Sequence, residues 1–139
     1  MRIYRAAAEQ EPYLGCGSCW TETLDAARAY TDDPGFGGPA IYAVEVDDRY
    51  EVLDLVCSDP YEALASALYA DADERRASLE DWETSGFGWA VYHVWEERPQ
   101  VADLLRQRGG WVRYEDDYPE GSVTWRYMGV RPLAARRCG

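Results

Sequence analysis

The sequence predicts an α+β domain with a terminal hairpin, and three observations carry that expectation. β-Branched and aromatic segments recur in both halves of the chain, at residues 40–46, 50–55, 111–115 and 122–127, as half-buried pleated surfaces require. Stretches of helical apolar spacing alternate with them, opening on capping residues and stopping at glycines. The 139 residues are 47% hydrophobic and include six Trp and eleven Tyr. That suits a single domain, residues 1–139, able to bury about 68% of its unfolded-chain surface.

Residues 3–5 and 18–21 read as two short strands. Thr21 reads as the N-cap of a helix through Tyr30, with Glu22 and Asp25 near its positive end and Leu24, Ala27 and Tyr30 on one face. Residues 32–39 (DDPGFGGP) set Pro and Gly around Phe36, which predicts a loop, lid or connector. Residues 40–46 and 50–55, joined by Asp47, Asp48 and Arg49, are expected to pair with each other. Asp59-Pro60-Tyr61-Glu62 supplies a capping acid, a proline at the first helical position and a reciprocal Glu, predicting a helix to about Ala70. Residues 73–82 form a further helical stretch with Leu79 and Trp82 inward, ended by Gly86-Phe87-Gly88. Residues 89–95 (WAVYHVW) alternate and favour a strand, although Val91, Val94 and Trp95 also fit one helical face. Pro99 opens a helix through Gln107 that Gly109-Gly110 stop. Residues 111–115 and 122–127 then form the closing hairpin about the turn 116–121.

Charge narrows the function. There are 26 acidic and 14 basic residues, a formal charge of −12, and every basic residue other than the one His is Arg. With no Lys, Schiff-base and P-loop lysine chemistry are excluded, and each cation is planar and suited to bidentate carboxylate or phosphate contacts. Residues 1–100 hold 21 acids and 7 Arg, while residues 101–139 hold 5 acids and 7 Arg. No basic face of useful size is visible, so direct nucleic-acid binding is not expected. A basic protein, or a small ligand gripped by a few Arg, is the expected partner. No apolar run approaches a membrane span or a signal-peptide core, so neither a membrane partner nor export is expected, and the reading is cytoplasmic.

Cys16-Gly-Ser-Cys19 has the spacing of a thiol motif or half a zinc site. The segment before it is polar and turn-like, and zinc would need Cys57, His93 or Cys138 as further ligands. No nucleophile-elbow pattern surrounds His93, the only histidine, which suits a core or edge position.

Another constellation is spread along the chain: Tyr4-Arg5, then Ser18-Cys19-Trp20-Thr21 before a helix, Tyr30 within it, and an acid between the last two strands, Asp116 or Glu120. This order resembles the ADP-ribosyltransferase superfamily. The likeness extends to the small phage anti-CRISPR ADP-ribosyltransferases through IYR, CWT, IYAVEVD, VLDLV, LLRQRGGWVRYEDD and GSVTWRYM. It spans most of the chain as scattered short matches, and neither the Arg-Ser-Glu nor the His-Tyr-Glu signature of the superfamily is reproduced in full.

The resemblance implies a single-domain split β-sheet with flanking helices and NAD as ADP-ribose donor. Loss of nicotinamide from NAD develops positive charge on the ribose, which a carboxylate can stabilise while holding the 2′-hydroxyl. Asp116 is favoured for that role, then Glu120. If residues 111–116 continue as a strand, Val112, Tyr114 and Asp116 share one face. Tyr4 and Thr21 belong to the implied NAD site. Arg5 is expected to grip the pyrophosphate or the adjoining ribose, Ser18 to bond the ribose, and Trp20 or Tyr30 to stack the nicotinamide. The implied substrate is a host protein in the bacterial cytoplasm, a CRISPR effector subunit with a basic nucleic-acid-binding surface among the candidates. Two rivals stay open: a non-enzymatic acidic inhibitor that mimics nucleic acid, and a CxxC thiol or zinc protein.

Overall fold

The computed structural model describes residues 1–10, 12–32, 37–47, 49–87, 90–116 and 121–138, and among these it contains seven strands and five helices. They run β1 (Arg2–Ala7), β2 (Cys19–Thr21), α1 (Leu24–Arg28), β3 (Ala40–Glu45), β4 (Val52–Asp54), α2 (Pro60–Leu68), α3 (Ala72–Ser85), α4 (His93–Glu97), α5 (Pro99–Arg108), β5 (Trp111–Glu115), β6 (Val123–Tyr127) and β7 (Arg136–Cys138). All seven strands form one sheet in the order β4-β5-β6-β2-β1-β3-β7. The architecture is α+β, as the residue patterning predicts.

Local chemistry sets the helix ends. Asp59 accepts from the Glu62 amide and Pro60 occupies the first turn of α2, as expected from the sequence. Asp71 caps α3 in the same way through the Glu74 amide, and Gly86 closes it in the left-handed region at φ 66°. α1 is shorter than expected because Thr23, rather than Thr21, is its N-cap, accepting from the Ala26 amide. Thr21 stays in the sheet.

Two expectations are corrected. Residues 40–46 and 50–55 do not pair with each other: β3 is flanked by β1 and β7, while β4 runs parallel to β5. Both hydrogen-bonding edges of β3 are taken by antiparallel partners of matching register, which leaves β4 the far edge of the sheet. Gly110, at φ 69°, allows the close approach to the Glu51 carbonyl that this parallel pairing needs. The segment expected as a strand at 89–95 instead leads into α4. Val91, Val94 and Trp95 are buried together at helical spacing, with Trp95 edge-on to Tyr114 at 5.2 Å between ring centroids. Helical periodicity prevailed over β propensity once that face had a sheet to cover. β7 is an edge strand that its polar sequence did not announce.

Residues 33–36 of the 32–39 segment and 117–120 of the 116–121 segment, together with Gly88 and Trp89, lie outside the described residues.

The sheet separates two clusters. On one face Ile3, Trp20, Tyr42, Val44, Trp111, Trp125 and Tyr127 pack together. Five strands contribute to that one cluster, and Trp111 stands edge-on to both Trp20 and Trp125. On the other face Leu53, Val112 and Tyr114 pack beneath residues of α2 to α5, including Leu64, Trp82, Val94 and Leu105. No helix among the described residues is long and apolar enough to cross a membrane.

Candidate functional site

β1 and β2 share a single register pair, Tyr4 with Thr21, whereas β1 pairs with β3 along its full length. Where β1 and β2 diverge, a cavity of about 610 Å³ opens. Its floor follows from strand alternation. Trp20 and Trp125 enter the tryptophan-rich cluster, so Cys19, Thr21, Thr124 and Arg126 turn to the opposite face and line the cavity. Tyr114 and Asp116 extend this floor from β5 and its end, and the Asp116 amide continues the ladder to the Ser122 carbonyl at 2.9 Å. Tyr4, Arg5 and Ala6 of β1, Tyr30 after α1, and Tyr92 and Glu96 of the α4 region form the walls.

Asp116 is oriented by Thr124, whose Oγ1 donates to Oδ2 at 2.7 Å. Arg5 reaches across the divergence and donates from Nη1 to the Cys19 carbonyl at 3.0 Å. Its Nε is buried with no hydrogen-bond partner among the described residues. Burial lowers the Arg5 pKa, with Cys19 and Tyr13 opposing. Arg126 directs both Nε and Nη2 at Cys19 Sγ, each at 3.4 Å. Burial pulls its pKa down, but Cys19, Tyr114 and Glu96 outweigh that, so the net shift is upward and the guanidinium stays charged. Tyr114 is almost wholly enclosed; burial, reinforced by Cys19, pushes its hydroxyl well above the ordinary range, so at neutral pH it remains a donor.

Of the residues that the sequence singles out, Tyr4, Arg5, Ser18, Thr21, Tyr30 and Asp116 line this one cavity. Ser18 is 2% exposed and its Oγ accepts from Trp20 Nε1 at 3.0 Å. The Thr21 hydroxyl lies within reach of the Tyr4 and Thr23 carbonyls and fastens the seam. Trp20 departs from its expected stacking role: it is fully buried on the other face of the sheet, because it alternates with Cys19 and Thr21. It supports the site only by holding Ser18. Glu120 lies outside the described residues.

Tyr13, Tyr92, Glu96, Tyr114, Thr124 and Arg126 also line the cavity, and the sequence reading named none of them as site residues. Thr124 and Arg126 were legible in principle, since both alternate with Trp125 and must face away from it. Cys16 is partly buried against the helix-side cluster, Cys57 is exposed, and His93 stacks on Tyr92 at 4.2 Å between ring centroids. Among the described residues no group of three or more His, Cys, Asp or Glu is arranged to hold a metal ion.

The chain matches no protein-family model, no curated protein and no solved structure.

Proposed function

We propose that the chain is an NAD-dependent mono-ADP-ribosyltransferase. The observation that carries this reading is the shared cavity of Arg5 and Asp116, which come from opposite ends of the chain, Arg5 from β1 beside its seam with β2 and Asp116 from the end of β5. Three features fit a dinucleotide. The volume of about 610 Å³ falls within the range of roughly 300–1,000 Å³ common to small-molecule sites. Arg5 Nε is a buried donor lacking an acceptor among the described residues, a need that a phosphate oxygen answers. Tyr4, Tyr30 and Tyr92 contribute aromatic rings to the lining, the residue type on which planar groups stack.

Bound NAD supplies an ADP-ribosyl group on a nicotinamide leaving group. Asp116, steadied by Thr124, accepts from the ribose hydroxyl and offsets the positive charge that builds at the anomeric carbon. As the glycosidic bond breaks, its electron pair departs with nicotinamide. The acceptor group of the target then bonds to that carbon and loses its proton. Arg5 orients the diphosphate, and Tyr4 with Thr21 hold the seam against which the ligand lies.

A charge of −12 favours encounter with a basic surface. The proposed target is therefore a nucleic-acid-binding protein of a bacterial host, such as a CRISPR effector subunit. There the modification would add bulk and negative charge where phosphate must dock.

The test is incubation of labelled NAD with bacterial lysate and the unmodified chain, Asp116→Ala or Glu120→Ala. Label on a discrete band that disappears with Asp116→Ala supports the assignment, and label retained in both variants refutes it. Inhibition of nucleic-acid binding that titrates one-to-one without NAD would replace this reading with that of an acidic mimic.

A further inference from the structure

Eight arginines, Arg2, Arg28, Arg49, Arg76, Arg98, Arg106, Arg113 and Arg137, each have a carboxylate oxygen within 4.0 Å. In a chain with 26 acids that is the expected state of a guanidinium. Among the described residues Arg5, Arg75, Arg108, Arg126, Arg131 and Arg136 have no carboxylate at ion-pair distance, and of these six Arg5 and Arg126 are the two that line the cavity. Leaving a cation partly buried without a counter-ion is costly. What Arg126 meets instead is the Cys19 thiol, approached by two N–H groups at 3.4 Å. A thiol sulfur is a weak acceptor beside an oxyanion, so the forked donor pair is held in place by a partner that a phosphate readily displaces. Cys19 also joins the two cations, since its carbonyl accepts from Arg5 Nη1 and its sulfur from Arg126.

We propose that Arg126 is a second anion-gripping residue of the cavity, acting with Arg5 on a diphosphate, and that Cys19 is the placeholder that keeps its guanidinium aimed until the anion arrives. The inference rests on the dinucleotide reading of the cavity and names the part of the ligand that Arg126 recognises. Glu96 is the acid that faces Arg126 from α4, and a diphosphate, which carries more negative charge than orthophosphate and can span both guanidinium groups, competes with it better. A bulky group on Cys19 would occupy the position of the displaced thiol and block the clamp, which makes Cys19 a point of thiol-dependent control.

The experiment uses inorganic pyrophosphate as the probe and the full chain. Its affinity is measured by calorimetry, and alkylation of Cys19 by iodoacetamide is followed by peptide mass spectrometry, with exposed Cys57 as the internal reference. The wild type should bind pyrophosphate, more tightly than orthophosphate, and saturating pyrophosphate should slow alkylation at Cys19 but not at Cys57. Arg126→Gln should weaken binding by roughly ten- to a hundredfold, the loss of a charge-assisted contact, and abolish the protection. Arg126→Lys should recover part of the affinity, and Arg126→Met should lose affinity while retaining or gaining thermal stability, since it removes a buried charge. Unchanged pyrophosphate affinity in Arg126→Gln and Arg126→Met, or Cys19 alkylation indifferent to pyrophosphate in the wild type, overturns the proposal. Pyrophosphate binding that requires Arg126 in a protein unable to cleave NAD would uphold the clamp and remove the transferase reading. NAD cleavage undiminished in Arg126→Gln would do the reverse.

Discussion

Thr124 and Asp116 lie diagonally across the two strands of the closing hairpin, and their side chains are joined by a 2.7 Å hydrogen bond inside the cavity. The Thr124 hydroxyl therefore fixes the direction of the carboxylate on which the proposed chemistry depends. A hydrogen bond to a charged group contributes about 1.5–3 kcal/mol. Thr124→Val is expected to lower the initial rate of nicotinamide release roughly ten- to a hundredfold in a folded protein. Thr124→Ser, which keeps the donor, is expected to restore most of the rate.

Trp20 is a stability residue in this account. It is fully buried, stands edge-on to Trp111 at 6.4 Å and donates to Ser18. Trp20→Phe keeps an aromatic ring but loses volume and the indole donor, so a loss of about 1–3 kcal/mol is expected from denaturant midpoints. Ligand affinity per folded molecule should be nearly unchanged. Tyr92→Ala is the contrasting variant, because Tyr92 lines the cavity beside Tyr114 at 5.6 Å. It should weaken ADP-ribose binding while affecting unfolding less.

The α2 cap gives a control far from the chemistry. Asp59 accepts from the Glu62 amide at 3.1 Å, and Asp59→Ala should cost about 1 kcal/mol. That corresponds to a Tm lower by roughly 2–6 °C for a domain of this size, with activity at lower temperature retained.

Acid stability should carry a signature of the pair Asp81 and Arg98. Arg98 donates from Nε and Nη2 to the two Asp81 oxygens at 3.0 and 3.1 Å, and this hydrogen bonding holds the Asp81 carboxyl below its ordinary pKa. A carboxyl depressed in the folded state favours folding above its unfolded value of about 3.9. That contribution fades as the pH falls through the folded value. Melting temperatures of Asp81→Asn and the unmodified chain should differ near neutrality and converge as the pH falls through the lowered folded-state value.

Much of this fold is legible from local chemistry. The Asp59-Pro60 start of α2, the glycine stop of α3 and the strands around residues 111–115 and 122–127 are each dictated by a few neighbouring residues. Pairing is not local: residues 40–46 and 50–55 are adjacent in sequence, yet β3 and β4 lie far apart in the sheet because each found a better edge elsewhere. The segment 89–95 satisfied both a strand and a helix pattern, and the choice depended on a surface, Tyr114 and its neighbours, that only tertiary structure provides.

The same division holds for the cavity. Tyr4, Arg5 and Asp116 could be singled out by residue type and order, and the shared face of Val112, Tyr114 and Asp116 followed from a two-residue period. Trp20 was misassigned because an aromatic next to a site residue in a strand points the other way. The facing of Thr124 and Arg126 follows from the same two-residue period, since both alternate with Trp125, but only the register of β2 against β6 sets Arg126 opposite Cys19.

In the proposed reaction Asp116 promotes cleavage of a glycosidic bond in the cavity it shares with Arg5. Nicotinamide release from NAD, quantified chromatographically for the unmodified chain and Asp116→Asn alongside ADP-ribose binding, tests it most directly. The two proteins should bind ADP-ribose with comparable affinity, and Asp116→Asn should release nicotinamide about a hundredfold or more slowly. Equal rates, or no nicotinamide released by an unmodified chain that is saturated with NAD, would contradict that role for Asp116.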